Sequence, residues 1–261
     1  MKRASVIVPN YNHGRFLERR LRSVLDQTYG EFEVIFLDDA STDNSREVFA
    51  SFAGDPRIRA VFNEVNSGSP FVQWNRGVRL ATGSYIWIAE SDDFADSRFL
   101  EHMVAALDAH PGVGLAYCQS LLLNEVDQPV GSAEKWSDHL APGRWQADFV
   151  NAGLDECGRY LIHRNTIPNA SAVVFRKDKF IEAGWAEESM RLCGDWMTWA
   201  RILFCSDVAF VARPLNCFRR HAGSISRSLA RTQVYLEEHL RILAAILQRT
   251  SIEPPYSVLV G

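Results

Sequence analysis

The chain has 261 residues, of which 47% are hydrophobic and 23% charged, an ordinary globular composition with enough apolar material for a sizeable core. Its 28 Lys and Arg against 32 Asp and Glu leave a net charge of −4, so no broad basic field points to a nucleic-acid partner. Five scattered cysteines form no CxxC pair for zinc or redox work, and no apolar run approaches the roughly 20 residues that span a bilayer.

Through the first hundred residues strand and helix signals alternate with short turns, which predicts βα units around a mostly parallel sheet with helices on both faces. Ser5–Val8 reads as a buried strand, and Gly14–Gln27 places Leu17, Leu21, Val24 and Leu25 on one helical stripe. A second strand, Val34–Leu37, runs into Asp38-Asp39, after which Ser41 or Thr42 can cap a helix to about Phe52. A weaker strand covers Arg57–Phe62, and a helix opens within Asn66–Pro70 and is closed by Gly83. Tyr85–Ala89 is a fourth strand ending in Glu90-Ser91-Asp92-Asp93, followed by a helix over Ser97–Ala109. The second half is less regular. Strands are expected at Val113–Leu123 and Ala170–Phe175, an excursion of little periodicity at 124–151, and a helix at Asp195–Phe204. Ala209–Arg220 reads as two short strands broken by Pro214, and Leu229–Leu247 as a helix docking Leu236, Leu240, Leu243 and Leu247 on the domain. The whole is read as one α/β domain over 1–261, with a donor half at 1–110, an acceptor half at 111–226 and a C-terminal helix and tail at 227–261.

In open α/β sheets ligands bind beyond the carboxyl ends of the parallel strands. There this chain carries Pro9-Asn10-Tyr11-Asn12, Asp38-Asp39 and Glu90-Ser91-Asp92-Asp93, with neither GxxxxGK[ST] nor GxGxxG to cradle a phosphate. Five carboxylates on one edge would raise one another's pKa unless a cation joined them, and Mg²⁺ or Mn²⁺ with oxygen ligands and substrate phosphates is the natural one. Asp38-Asp39 also suits turn and capping chemistry, but three acids directly after an apolar strand have no common packing reason.

Taken together, Val6–Asn12, Leu21–Thr28, Val34–Asp43 and Ala81–Asp93 closely resemble glycosyltransferase family 2, over roughly residues 4–110. The resemblance implies the GT-A fold and inverting transfer from a nucleotide sugar, UDP- or dTDP-linked, to a glycan or lipid-linked glycan acceptor, as in bacterial surface polysaccharide synthesis. It implies a nucleobase contact by Asp39, with Tyr11 and Pro9 shaping the pocket, and donor-side places for Asp38, Asn66, Glu90 and Ser91. Asp92 and Asp93 would hold the metal. Glu90 stands where relatives more often have Asp, and Trp74 where many have Arg. Cys193-Gly-Asp-Trp196 resembles the motif of the catalytic base, which nominates Asp195; the same residue also suits a plain helix N-cap. Arg219–Ser226 resembles a loop that closes on the pyrophosphate, with Arg219 or Arg220 beside His221, which would ligate the metal or bond the phosphate. Asn169, Trp145, Trp136 and His163 are further acceptor-side candidates for which core or surface packing is the simpler reading. Expected location is the cytoplasm, alternatively the inner face of the plasma membrane, with peripheral association or a homo-oligomer compatible with Arg231, Arg241 and Arg249 among the last leucines. A nucleotidyltransferase making an activated sugar and a non-catalytic binding module are the competing readings.

Overall fold

The computed structural model describes residues 4–221, 223 and 232–250. The first half runs β1 (Ala4–Asn10), α1 (Gly14–Leu25), β2 (Phe32–Asp38), α2 (Ser45–Ala50), β3 (Ile58–Phe62), α3 (Pro70–Leu80), β4 (Tyr85–Ile88), β5 (Phe94–Ala95) and α4 (Phe99–Ala109). The second runs β6 (Val113–Leu123), β7 (Pro129–Ser132), β8 (Phe149–Asn151), α5 (Gly153–Glu156), β9 (Val173–Arg176), α6 (Lys177–Glu182), α7 (Gly194–Leu203), β10 (Asp207–Arg219) and α8 (Gln233–Leu247).

Among the described residues the strands join one ten-stranded sheet whose main path is β3-β2-β1-β4-β9-β6-β10-β5. The first-half strands β3, β2, β1 and β4 are parallel, and β6 pairs β10 in parallel, but β9 enters antiparallel between β4 and β6. The sheet is therefore mixed across its second half. Alternation along the buried strands sends successive side chains to opposite faces. Ile7, Ile35, Ile86 and Ile88 pack with α3, α6, α7 and α8, whereas Val6, Val8, Val34, Phe36 and Trp87 pack with α1, α2 and α4. Gly77 lets α3 lie directly on β1, since a Cβ there would stand 2.4 Å from Ile7 Cγ2.

Three expectations need correction. Pro214 does not split the last strand: β10 runs on for 13 residues with register irregularities around Pro214. Pro214 falls where the register with β6 slips and, on the other edge, between the pairings with β8 (Val208–Phe210) and β5 (Asn216, Cys217), an irregular stretch of the kind that tolerates a missing N–H. Helix α2 begins at Ser45 rather than after Ser41 or Thr42, because those residues are held by the β1 turn: Thr42 N–H donates to Asn12 Oδ1 (2.8 Å), and Ser41 Oγ accepts from Asn12 N–H (3.0 Å). Helix α8 turns Ile242 and Ile246 inward and leaves Leu236, Leu240 and Leu247 at 60%, 65% and 54% exposure. Arg231 and the final apolar tail lie outside the described residues.

Candidate active site

The chain leaves β1 for β2 and β3 on one side and returns to β4 on the other, so the sheet order reverses beside β1. That switch point opens a crevice at the carboxyl ends of the strands. A cleft of about 730 Å³ lies there, lined by the β1–α1 turn, the β2 and β4 ends, the head of α7 and the end of β10. The volume is that of a small-molecule site.

On the donor side Asp39 is buried beneath a fan of donors. Asn63 Nδ2 (2.6 Å) and Gln73 Nε2 (2.8 Å) reach Oδ1, while Asn66 Nδ2 (3.1 Å) and Ser67 Oγ (2.7 Å) reach Oδ2. Pro9 lines the same end, and Tyr11 stands 46% exposed at its mouth, a ring free to stack. Asp38 does not reach the cleft. Its carboxylate is fully buried and accepts from Asn10 Nδ2 (3.0 Å) and Ser41 N–H (3.2 Å), so it braces the β1 and β2 turns. Gly14 lets those turns meet: a Cβ there would stand 2.2 Å from Asn44 Oδ1.

The acidic loop after β4 is not one cluster of like charges. Glu90 accepts from Trp74 Nε1 (2.7 Å), so an indole N–H satisfies one oxygen of this acid. Burial, then the Asp92 charge, pushes Glu90 up to about 8. Asp93 points toward the second half, accepting from Asn169 Nδ2 (2.9 Å) and Arg219 N–H (2.8 Å); burial and the Asp92 charge raise it to about 6. Burial works against ionising Asp92 as well, but the His221 hydrogen bond and the charges of His13 and His221 outweigh it and hold Asp92 below its ordinary range. Arg20, fully buried on α1, donates to the Glu90 carbonyl (2.7 Å) and to Ser171 Oγ (3.0 Å), which puts a cation behind the loop. Arg219 is the second. It bonds Asp127 Oδ1 (2.8 Å) and the Asp92 carbonyl, so it supports the loop from behind instead of lining the cleft.

Asp195 lies in the first turn of α7 and lines the cleft. Asn165 Nδ2 donates to its Oδ2 (3.0 Å), and burial raises it to about 6 despite the helix N–H groups nearby. The preceding loop is held by α8, where buried Glu238 accepts the N–H groups of Arg191 (2.6 Å), Leu192 (3.0 Å) and Cys193 (2.7 Å). Of the acceptor-side candidates only Asn169 lines the cleft. Trp145 is buried against the Tyr117 hydroxyl (2.8 Å), and Trp136 donates to the Asn165 carbonyl (2.9 Å).

Residues 5–134 match the sequence profile of Glycosyl transferase family 2. The chain belongs to glycosyltransferase family 2. Within the family it is 29% identical over 238 residues to Glycosyltransferase GlyG of Streptococcus pneumoniae, covering 86% of this chain and 73% of that one. It is 31% identical over 112 residues to the poly(ribitol-phosphate) beta-N-acetylglucosaminyltransferase TarS of Staphylococcus aureus, covering 42% of this chain and only 20% of TarS. The crystal structure of TarS 1–349 in complex with UDP-GlcNAc superposes with a TM-score of 0.73 at 17% identity, covering 96% of this chain and 68% of that one. The mannosyltransferase PcManGT of Pyrobaculum calidifontis, solved with GDP-Man and Mn²⁺, gives 0.63 at 18%, covering 97% and 66%. At such identities the two structures establish the fold, which is GT-A.

For a family 2 chain the metal question is whether side chains here fit a divalent ion, and they do: ligand atoms of His13, Asp92 and His221 lie within 4.8 Å of one another. Asp93, expected beside Asp92, is not in this group; its oxygens accept from Asn169 and the Arg219 N–H. His221 is 2% exposed and 3.1 Å from Asp92 Oδ2. Sequence reasoning assigned nothing to His13, nor to Arg15 and Arg191, which line the cleft where Arg219 and Arg220 do not. The available signal for His13 was its place in the β1 turn, on the same sheet edge as Asp92.

Proposed function

We propose that this chain is an inverting, divalent-metal-dependent glycosyltransferase that moves a sugar from a UDP- or dTDP-sugar to a hydroxyl of a glycan or lipid-linked glycan, in bacterial cell-surface glycan synthesis. The observation that carries the reading is the sharing of one cleft by Asp39 in its nest of donors, the His13–Asp92–His221 group and Asp195. Asp39, Asn66, Gln73 and Tyr11 would hold the nucleoside. Arg15 and Arg191, open to the cleft, would meet the diphosphate. His13, Asp92 and His221 would hold the ion, which when bound supplies positive charge against that building on the leaving diphosphate. Asp195 would take the proton of the acceptor hydroxyl as its oxygen bonds the anomeric carbon and the bond to the diphosphate breaks on the opposite face.

Family membership sets the nucleotidyltransferase reading aside. A bare binding module would have no use for a carboxylate poised near 6 opposite an acidic loop. The donor half (1–110) and acceptor half (111–226) share one sheet, which supports reading them as one catalytic domain. No helix among the described residues is long and apolar enough to cross a membrane, compatible with a place in the cytoplasm or at the inner membrane face. Calorimetry with UDP tests the metal requirement. Binding in Mn²⁺ should fall at least tenfold in EDTA, and undiminished affinity in EDTA would remove the ion from the account.

A further inference from the structure

We propose that His13 is itself a ligand of the ion, so that this cleft selects a transition metal of the manganese type over magnesium. The inference rests on the reading of the cleft as the donor site and assigns the ion a two-imidazole, one-carboxylate shell. His13 stands at the head of α1, with Nδ1 2.9 Å from Ser91 Oγ. That contact fixes the ring plane and leaves the second nitrogen for another partner. The ring meets His221 edge-on, centroids 5.6 Å apart at 90°, and both imidazoles lie within ligand reach of Asp92. His221 reaches the same point from the other direction, at the end of β10, with Nε2 on Asp92 and Nδ1 buried without a hydrogen bond among the described residues.

Atoms sharing one ion at about 2.1 Å stand at most about 4.2 Å apart, so a spread of up to 4.8 Å closes with a small side-chain adjustment. The second carboxylate that an all-oxygen shell would recruit, Asp93, is not in the close group and already accepts from Asn169 and the Arg219 N–H. Magnesium demands oxygen ligands and dehydrates reluctantly, whereas manganese and the later divalent metals accept imidazole. Two nitrogens and one carboxylate also leave coordination positions open for the diphosphate.

The test titrates Mn²⁺ into the full chain without nucleotide, counting free ion by electron paramagnetic resonance, with Mg²⁺ as competitor. Mn²⁺ should bind at least tenfold more tightly than Mg²⁺, and His13→Asn should weaken Mn²⁺ by more than roughly 10-fold, since loss of a direct ligand should cost at least as much as disturbing a residue that only supports one. Electron spin echo modulation of the wild-type complex should report two imidazole nitrogens, which needs no variant to fold. Equal Mn²⁺ and Mg²⁺ affinity, a folded His13→Asn with wild-type Mn²⁺ affinity, or a single coordinated imidazole would each overturn the assignment. A chain that binds Mn²⁺ through two imidazoles yet binds no UDP would keep the ligand assignment and remove the donor-site reading instead.

Discussion

Asp195 combines two demands on a base: it must be deprotonated at working pH and basic enough to accept a proton in the transition state. Burial pushing it to about 6 meets both. Asp195→Asn should bind UDP and Mn²⁺ as the wild type does and lose roughly 10²–10⁴-fold in transfer rate, measured as nucleoside diphosphate release in the presence of acceptor. Transfer at the wild-type rate would place the base elsewhere. The pH profile carries the same sign: a raised carboxyl is protonated below about pH 6, so the acidic limb of kcat/KM should fall there and disappear from the residual activity of Asp195→Asn. At this scale the sequence says which acids stand at the strand ends but not what they pair with. Asp39, Asp92 and Asp195 line the cleft, but Asp38 is consumed by Asn10 and Ser41, and Arg219 by Asp127. Those partners lie up to 92 residues away, a separation that local pattern cannot bridge. His13 escaped for the same reason, since a lone histidine becomes a metal-ligand candidate only once Asp92 and His221 are folded beside it.

Helix α8 shows what happens when a periodic pattern is read without knowing which face is covered. Its leucines align well, yet the buried positions are Ile242, Ile246 and Glu238, on the opposite side of the same helix. Both stripes satisfy a helical period, and only the neighbouring α7 decides between them. Ile242→Ala should therefore cost about 2–5 kcal/mol in denaturant unfolding, the usual range for an emptied core site, while Leu240→Ser should stay within about 0.5 kcal/mol. The reverse order would mean that the leucine stripe is the docked face. Glu238 gives α8 a second task, because its carboxylate satisfies the backbone of the loop that delivers Asp195. Glu238→Ala would strand those N–H groups and should lower transfer as well as stability; full activity in a folded Glu238→Ala would show that the loop holds itself. In the first half of the chain the period was unambiguous, since apolar strands ending in short turns leave only one way to cover both faces of a sheet.

Across the whole molecule, the two halves are joined by β9 and β6, so the acidic loop after β4 and the head of α7 that carries Asp195 meet over a single cleft. The parallel first half was legible because βα units follow a strong rule of handedness and order. The second half was not, because its antiparallel insertion and the long β10 depend on pairings made far along the chain. The chain spans 73% of GlyG but 20% of TarS. The most direct test is a panel of nucleotide sugars incubated with the full chain and Mn²⁺, scored for release of nucleoside diphosphate. A uridine or thymidine diphosphate sugar should be turned over, with release abolished by EDTA and by Asp195→Asn. Release unaffected by both, or no binding of any nucleotide sugar in Mn²⁺, would contradict the account.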